Sequence, residues 1–241
     1  MYEYRDKEWL YREAILLGKT EKQIAEENGW TQRVVVKWIQ IFGFGDNNFR
    51  YLKRLNPKQQ KLVEASLLGD GHITDEGIFI VSHCEKQKDY LYWKYSILSD
   101  CCKKQPSYYS GGKTIINNHE SNKQPSYRMN TRKINHLKEL KELTKIDIIK
   151  NLDSFGLSIW FLDDGYRDKW TWDLCIGNKS PEEIKVIHEK LAEYGLKYTY
   201  RKDVRYIRFN NESSRRIDSM ILFNIPNNLD IIKHKINKER K

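Results

Sequence analysis

The sequence is poor in cysteine, and its four cysteines lack the paired spacing that holds zinc in small domains. Two neighbouring pairs, His83-Cys84 and Cys101-Cys102, are potential ligands. Adjacent ligands rarely close a tetrahedron around a metal, so we expect buried, reduced thiols and no zinc. The six histidines are scattered and form neither the His-Asn-His nor the His-Glu-x-x-His pattern of other metal-dependent hydrolases.

Long apolar runs are absent as well. No segment approaches the length needed to span a bilayer, and no basic-then-apolar signal sequence opens the chain. We therefore expect a protein that is neither secreted nor bound to a membrane. Its predicted location is intracellular, in the cytoplasm or the nucleoid.

Acidic residues are outnumbered, because 43 lysines and arginines stand against 33 aspartates and glutamates, which gives a net charge of +10. Such an excess favours a polyanionic partner, and nucleic acid more than a membrane surface. The 15 tyrosines and 7 tryptophans suit a β-rich surface lying on nucleic acid, although an ordinary core uses aromatic residues too.

The most informative stretch occurs twice. Lys61–His72 and Leu157–Gly165 contain mostly apolar, helix-like runs that stop at an acid followed by glycine. Glycine ends helices because it enters the left-handed conformation without steric cost, so we expect that conformation at both glycines. An aspartate at a helix C-terminus opposes the helix dipole. One Asp-Gly turn would indicate little, but the same misplaced acid at Asp70 and Asp164 indicates a bound cation.

The surroundings of the two acids repeat too. Shifting the first half by the spacing of Asp70 and Asp164 aligns it with the second half without a gap. The aligned pairs are Gly71 with Gly165, His72 with Tyr166, Ile80 with Leu174, Asp89 with Glu183 and Tyr90 with Ile184. Further on, Tyr127–Asn130 is echoed by Ile207–Asn210. This internal duplication predicts two similar subdomains, residues 57–150 and 151–241, related by a pseudo-two-fold axis.

Residues 1–43 are predicted to form a separate helical unit. The predicted helices are Lys7–Leu17, Glu21–Asn28 and Gln32–Ile41, with Gly18, Gly29 and Gly43 after them and Thr20 and Thr31 as caps. The small Ala25 and the turn at Gly29 are typical of a helix-turn-helix. On this interpretation the residues that face a DNA groove are Thr31, Gln32, Arg33 and Lys37. The alternative is a three-helix bundle without a ligand; residues 44–56 then form a basic linker.

The rest of the chain mixes strands and helices. We predict strands at Gly77–Ser82, Tyr108–Ile116, Ser126–Thr131, Trp170–Ile176, Tyr198–Arg201 and Tyr206–Asn210. Between them we predict helices at Gln87–Ser99, Lys133–Leu143, Ser180–Tyr194 and Ser214–Leu222, a polar loop at Asn117–Gln124 and a basic tail at Ile231–Lys241.

At these residues the chain resembles the LAGLIDADG homing endonucleases, in the single-chain form that carries two copies of the motif. Leu67–Gly71 resembles the first copy and Leu157–Gly165 the second. The resemblance covers about residues 57–238. It implies an α+β fold, a pseudo-two-fold duplicated αββαββα arrangement, preceded here by a small all-α helix-turn-helix unit. It also implies small residues where the motif helices touch, here Ala65, Ser66 and Ser158.

The resemblance assigns the chemistry to the ends of the motif helices. Asp70 and Asp164 would bind Mg²⁺, for which Mn²⁺ substitutes, and each ion would serve one DNA strand. We include the preceding residues, Gly69 and Asp163, in the predicted metal site, although a capping or supporting role suits Asp163 better. Independently, cutting a phosphodiester needs an activated water and a cation on the developing charge, and Mg²⁺ held by aspartate supplies both.

The family also places one catalytic lysine in each half. In the second half our candidate is Lys235, with Lys233 as the alternative. In the first half the candidate is Lys145, with Lys141 as the alternative, because the proline expected after Lys145 is missing. A single lysine in so basic a chain is more often a solvated surface charge.

Base contacts would come from the exposed faces of the strands, where polar side chains alternate with core ones. The candidates are Arg128, Asn130, Arg132, Arg201, Lys202, Arg205, Arg208 and Asn210. Arginine suits guanine, and asparagine suits adenine.

The leading hypothesis is therefore a monomeric, Mg²⁺-dependent endonuclease that cuts a long, asymmetric site in double-stranded DNA. One alternative is a helix-turn-helix transcriptional regulator that keeps the nuclease scaffold as an inactive DNA-binding platform. The other is a maturase, with intron RNA as its partner. The presence of both acids favours the enzyme over the regulator.

Overall fold

The computed structural model describes residues 3–17, 19–42, 54–110, 112–116, 119–123, 125–177, 179–202 and 205–236. Our predictions for Gly18, Gly43, most of the basic linker and the end of the tail lie outside these residues. In the described part of the chain, no helix has both the length and the apolar character that crossing a bilayer requires.

The N-terminal residues form helices around a small core of their own. α1 spans Lys7–Tyr11 and continues as a π-helical turn, Arg12–Leu16; α2 spans Glu21–Glu27 and α3 spans Gln32–Ile41. α2 begins with the predicted capping box of Thr20 and Gln23. The buried residues of this core are Leu10, Ala14, Ile24, Ala25, Val35 and Ile39, and they form a cluster separate from the main core.

The first half begins with α4, Pro57–Ser66, whose start is fixed by a capping box of Asn56 and Gln59. The elements that follow are β1 (Gly71–Ile73), β2 (Phe79–His83), α5 (Lys88–Leu98), β3 (Ser107–Tyr109), β4 (Gly112–Ile116), β5 (His119–Lys123), β6 (Ser126–Asn130) and α6 (Asn135–Lys141). An antiparallel sheet has the order β1-β2-β6-β3, and β4 pairs with β5 as a separate hairpin.

The second half repeats this plan. α7 (Lys145–Asn151) ends the first half, and the elements of the second half are α8 (Ser154–Asp164), β7 (Gly165–Arg167), β8 (Trp172–Cys175), α9 (Pro181–Glu193), β9 (Tyr198–Arg201), β10 (Tyr206–Phe209), α10 (Asn211–Asn224) and α11 (Asp230–Lys235). The sheet order β7-β8-β10-β9 matches the first sheet. Ser180 caps α9, and Gly195 follows it with a left-handed φ of +63°, which agrees with our predicted helix end.

The two motif helices, α4 and α8, pack against each other at the centre of the molecule. A Cβ built on Gly156 of α8 would lie 3.7 Å from the Cβ of Ala65, so a small residue does lie at this contact. Ser158 lies elsewhere, because its hydroxyl group donates to the carbonyls of Ser154 and Met220. The last helix of each half packs on the other half: α7 contacts α9, and α11 contacts α5.

Several element predictions were wrong. The predicted strand Tyr108–Ile116 divides into β3 and β4, because β3 pairs with β6 while β4 pairs with β5. The predicted polar loop Asn117–Gln124 contains β5, since pairing with β4 overrides its polar composition. The short strands β1 and β7 and the helix α7, which begins with a capping box of Thr144 and Asp147, were missed.

The ungapped alignment of the two halves was also wrong beyond the first strand. Gly71 pairs with Val81, whereas Gly165 pairs with Leu174. The first hairpin is therefore one residue longer, and Val81 rather than Ile80 corresponds to Leu174. A slip of one residue turns a side chain to the opposite face of a sheet, which is why Val81 and Leu174 are both fully buried.

The echo of Tyr127–Asn130 in Ile207–Asn210 is displaced as well. Val81 pairs with Met129 on β6, and the corresponding Leu174 pairs with Ile207 on β10. Both Met129 and Ile207 are buried. Met129 is third in the first string and Ile207 is first in the second, so the strings are two residues out of register. The similarity of these strings is not a structural correspondence.

The expectation of buried thiols is correct for only one pair of cysteines. Cys101 and Cys102 are buried, whereas Cys84 and Cys175 are exposed. Cys84 follows the end of β2, and Cys175 alternates with buried neighbours on the outward face of β8.

Candidate active site at the ends of the motif helices

Each motif acid lies where its helix meets the first strand of a sheet. Asp164 is the last residue of α8, and Asp70 follows α4 after a short turn. The glycines that follow them, Gly71 and Gly165, begin β1 and β7. Each acid is therefore held between the end of a motif helix and the edge strand of a sheet.

The two glycines are required for close packing and not for a left-handed conformation, so that expectation was wrong. Gly165 has φ −82°, and Gly71 is not among the described glycines with positive φ. A Cβ on Gly165 would lie 2.3 Å from the carbonyl oxygen of Phe161. A Cβ on Gly71 would lie 2.9 Å from the carbonyl oxygen of Ser66. The chain leaves each helix so tightly that no side chain fits.

The ends of the two motif helices approach each other closely. A Cβ built on Gly69 would lie 3.1 Å from Oδ1 of Asp164 and 2.8 Å from Cβ of Asp163. Burial raises the pKa of Asp70 to about 6, and the negative charges of Asp163 and Asp164 act in the same direction. We call Asp70, Asp163 and Asp164 the acid cluster.

Asp164 has a different environment from Asp70. Burial raises its pKa, and the indole N–H of Trp160, which donates to Oδ2 at 3.1 Å, opposes the rise. The charge of Lys179 also lowers the Asp164 pKa. The side chain of Asp70, by contrast, keeps 41% of its surface exposed, and His83 lies beside it.

His83 is a site residue that our sequence reasoning considered only as a zinc ligand and set aside. It is buried on β2, and its Nδ1 lies 3.4 Å from Oδ2 of Asp70 and 3.1 Å from Oε1 of Gln87. Burial lowers the His83 pKa to about 3, and the charge of Lys94 lowers it further, so the ring is neutral. Its Nε2 has no hydrogen-bond partner among the described residues. The signal that the sequence offered for this role was a histidine at a core-facing position of the strand β2.

Lys94 of α5 was missed. Its ammonium group lies 2.8 Å from both carboxylate oxygens of Asp163, and both side chains are completely buried. The hydroxyl group of Tyr90 donates to the same Asp163 carboxylate at 3.0 Å. The sequence signal was a lysine within the otherwise apolar stripe of Tyr90, Leu91 and Leu98. Asp163 is thus neutralised by an internal ion pair.

Of the predicted catalytic lysines, Lys235 lies next to the acid cluster. Its ammonium group donates to the carbonyls of Leu162 at 2.6 Å and Gly165 at 2.7 Å. Burial lowers the Lys235 pKa to about 8, while the charges of the three acids raise it. The alternative, Lys233, is exposed and pairs with Asp230 at 2.9 Å.

Lys145 is exposed at the start of α7, and its ammonium group lies beside Lys179. Burial and the charge of Lys145 lower the Lys179 pKa. Because the charge of Lys179 acts on Asp164, these two lysines lie on the Asp164 side of the site. The alternative, Lys141, pairs with the exposed Asp75.

The acid cluster fits a divalent cation. Asp70, His83 and Asp163 each offer a ligand atom within 4.8 Å of the others, the one such cluster among the described residues. Both oxygens of Asp163 are already paired with Lys94, and Asp164 is not part of this group, so Asp70 is its available carboxylate. Carboxylate oxygens suit Mg²⁺ and Mn²⁺. A cation would also relieve the repulsion that raises the Asp70 pKa.

The predicted DNA-binding residues of the first sheet lie on or near its outward face. Arg128 donates through Nε to the hydroxyl group of Ser82 at 3.3 Å, and its guanidinium group lies 4.8 Å from the ring centroid of Tyr109. Asn130 is exposed. Arg132 is half-buried and donates to the carbonyl of Cys102 at 3.2 Å.

In the second sheet, an ion pair with a neighbouring strand holds one of the predicted arginines. Arg208 donates through Nε and Nη2 to the carboxylate of Asp173, at 2.8 and 2.6 Å, from the adjacent position on β8. Three other predicted DNA contacts, Arg201, Lys202 and Arg205, are exposed. The side chain of Asn210 accepts from the N–H of Ser213 and caps α10, so it has a structural partner.

In the N-terminal unit, the four predicted DNA contacts lie together at the start of α3. These residues are Thr31, Gln32, Arg33 and Lys37, and all four are exposed. Thr31 is the N-cap residue, but its side chain makes no capping hydrogen bond. The surface that would contact DNA in a helix-turn-helix is therefore exposed to solvent.

Two antiparallel sheets on either side of a central helix pair, with acids at the helix ends, define a duplicated nuclease-type scaffold. The model of the LAGLIDADG DNA endonuclease family matches residues 63–217, which is more than half of the chain. The chain belongs to this family. Its predicted fold class is confirmed.

One solved structure has a similar fold. The structure of the homing endonuclease I-WcaI bound to its DNA recognition sequence matches with a TM-score of 0.59 at 16% identity, covering 76% of this chain and 87% of that one. At this identity the match shows the fold.

Among curated proteins, two matches are Protein RecA of Mycolicibacterium chitae and Protein RecA of Mycolicibacterium flavescens. The first is 28% identical over 167 residues, covering 63% of this chain and 38% of the relative. The second is 30% identical over 142 residues, covering 55% and 32%. The chain thus spans about a third of the length of these relatives.

Proposed function

We propose that this chain is a site-specific endonuclease that cuts both strands of DNA, with Asp70 serving one strand and Asp164 the other. The observation that carries the proposal is the meeting of these two acids at the ends of two paired helices. Cutting two antiparallel strands needs two centres related by approximate two-fold symmetry, and the duplicated fold supplies them within one chain. We therefore also propose that the enzyme acts as a monomer.

Asp70 and Asp164 would hold Mg²⁺ or Mn²⁺, which supplies Lewis acidity toward water and toward the charge that develops on the phosphate. The chain itself positions these carboxylates. Trp160 orients Asp164, and His83 lies against Asp70 at 3.4 Å. We assign the role of the family's catalytic lysine in the second half to Lys235. Its pKa of about 8 suits a group that holds or releases a proton near neutral pH.

The outward faces of the two sheets are the proposed DNA-binding surface. On β8 and β10, Trp172, Leu174, Ile207 and Phe209 point into the core and leave Arg208 on the opposite face. This alternation gives each sheet a face available for the major groove. We propose that the exposed start of α3 adds a second contact, as in a helix-turn-helix. We propose that residues 1–43 are a helix-turn-helix-like unit and that residues 57–150 and 151–241 are the two subdomains of the nuclease.

The test is a selection of cleaved sequences from a randomised duplex DNA library in the presence of Mg²⁺. We expect a long, asymmetric site, and we expect Asp70→Asn and Asp164→Asn to retain binding while losing double-strand cleavage. Binding without cleavage by the parent protein would instead identify a regulator. Preference for structured intron RNA over duplex DNA would identify a maturase.

A further inference from the structure

Lys94 connects both motif helices through one ammonium group. It belongs to α5 of the first half, yet it pairs with Asp163 of α8 at 2.8 Å and lies 3.3 Å from the hydroxyl group of Ser66 on α4. The side chains of Lys94 and Asp163 are 0% exposed. A buried ion pair of this kind is costly to break, because removing one partner leaves an uncompensated charge. The pair therefore fixes the position of Asp163.

A chain of contacts leads from this ion pair to Asp70. Tyr90 donates its hydroxyl group to Asp163 at 3.0 Å, and its ring lies 4.6 Å from the Lys94 ammonium group. The same ring packs against His83, with 5.1 Å between ring centroids. His83 in turn lies against Asp70. The ion pair is thus connected to the centre that contains Asp70.

Among the described residues of the second half, no equivalent pair is found. On α9 the buried positions Val186, Ile187 and Lys190 repeat the spacing of Tyr90, Leu91 and Lys94 on α5. The ammonium group of Lys190 bonds Glu193 of its own helix at 2.7 Å. The position that corresponds to Asp163 in the first motif is Gly69. The two halves therefore differ in an internal charge pair next to one motif acid.

We propose that Lys94 is a positioning residue for one of the two cleavage centres: it keeps Asp163 away from the cation and maintains the geometry around Asp70. This inference rests on the proposed function. Without the ammonium group, Asp163 becomes an unpaired acid beside Asp70. Asp163 also acts on Asp164, but the ligand atoms that lie within 4.8 Å of one another are those of Asp70, His83 and Asp163, so the centre at Asp164 is affected less. Loss of Lys94 should therefore slow the cutting of one strand more than the cutting of the other.

The first test measures strand cutting. With Mg²⁺ and a supercoiled plasmid that carries the selected site, Lys94→Met should accumulate nicked circles, because one strand is cut about tenfold more slowly than the other. End-labelled duplexes should show that the slow strand is the one slowed by Asp70→Asn. Lys190→Met, the matched buried lysine of the other half, should give linear product as the parent does. Equal slowing of both strands by Lys94→Met, or nicking by Lys190→Met, would overturn the proposal.

The second test measures cation binding without cleavage, by titration calorimetry with Ca²⁺. Lys94→Met frees an acid and should bind Ca²⁺ about tenfold more tightly than the parent, whereas Asp163→Asn leaves a lone ammonium group and should bind it about tenfold more weakly. Unchanged affinity in both variants would refute the assignment. If Lys94→Met does not fold, the Ca²⁺ affinity of Asp163→Asn alone tests the proposal. A parent that cuts no DNA would refute the proposed function, while calorimetry would still test the pairing.

Discussion

Replacing Gly69 by alanine tests whether the first motif needs an empty position beside the acids. Gly69 does not have a left-handed φ, so alanine can adopt its backbone conformation without strain. The new methyl group would lie 2.8 Å from Cβ of Asp163 and 3.1 Å from Oδ1 of Asp164. The contact with Cβ of Asp163 cannot be relieved by a side-chain rotation, because that atom is fixed by the backbone of α8. The two motif helices must therefore move apart or tilt.

The size of the effect follows from overpacking. Inserting one methyl group into a filled contact costs about 1–3 kcal/mol. For a chain of this length, each kcal/mol lowers Tm by roughly 2–4 °C, so Tm should fall by roughly 2–12 °C. A displaced Asp164 carboxylate should also slow cleavage by about tenfold to hundredfold. Differential scanning calorimetry and a plasmid cleavage assay measure the two effects.

The matched control is Gly29→Ala in the N-terminal unit. Gly29 has φ +67° and nothing within 4 Å of its built Cβ, so alanine there costs about 1 kcal/mol of backbone strain and leaves cleavage intact. If Gly69→Ala melts and cuts as the parent does, the close approach of the two motif ends is refuted.

Three further predictions concern single side chains. Lys235→Met should lower the cleavage rate by about a hundredfold while Ca²⁺-supported DNA binding, measured by gel shift, stays within about twofold. Asp173→Asn should release Arg208 and weaken the preference for one G·C pair by about 1–3 kcal/mol, measured by repeating the site selection. The Nδ1 of His136 accepts the N–H of Leu55 at 3.0 Å, and burial lowers the His136 pKa below its usual 6.5. The unfolded chain therefore binds a proton more readily, so Tm should fall as the pH is lowered from about 7 to about 5, and His136→Gln should flatten that dependence.

Two of these predictions have a matched control in the same chain. Lys233→Met should leave cleavage unchanged, because its side chain is exposed and pairs with Asp230. Ser82→Ala removes a single long hydrogen bond from Arg128 and should alter selection less than Asp173→Asn. Equal effects of a variant and its control would contradict the corresponding contact.

The local features of the fold were predictable because they depend on neighbours in the sequence. The cap at Thr20 is present as predicted, and the helix predicted to end at Tyr194 is followed by the left-handed Gly195. Gly71 and Gly165 were misinterpreted for the opposite reason. Their role depends on atoms of the preceding helix and a distant ring, which no dipeptide pattern reports.

The candidate site was predictable only where the motif repeats. Asp70 and Asp164 lie at matching places, but the environment of each is built from elements far away in the sequence. Lys94 and His83 reach the acid cluster through the packing of α5 and β2 against the motif helices. One extra residue in the first hairpin was enough to break the ungapped alignment, because sheet register alternates every residue.

The most direct measurement of the central claim is strand-resolved cleavage of an end-labelled duplex that carries the selected site, by Asp70→Asn and by Asp164→Asn. We predict that neither variant makes a double-strand break, that the two variants spare opposite strands, and that both still bind the duplex in Ca²⁺. Double-strand cleavage by either variant at the parent's rate would contradict it.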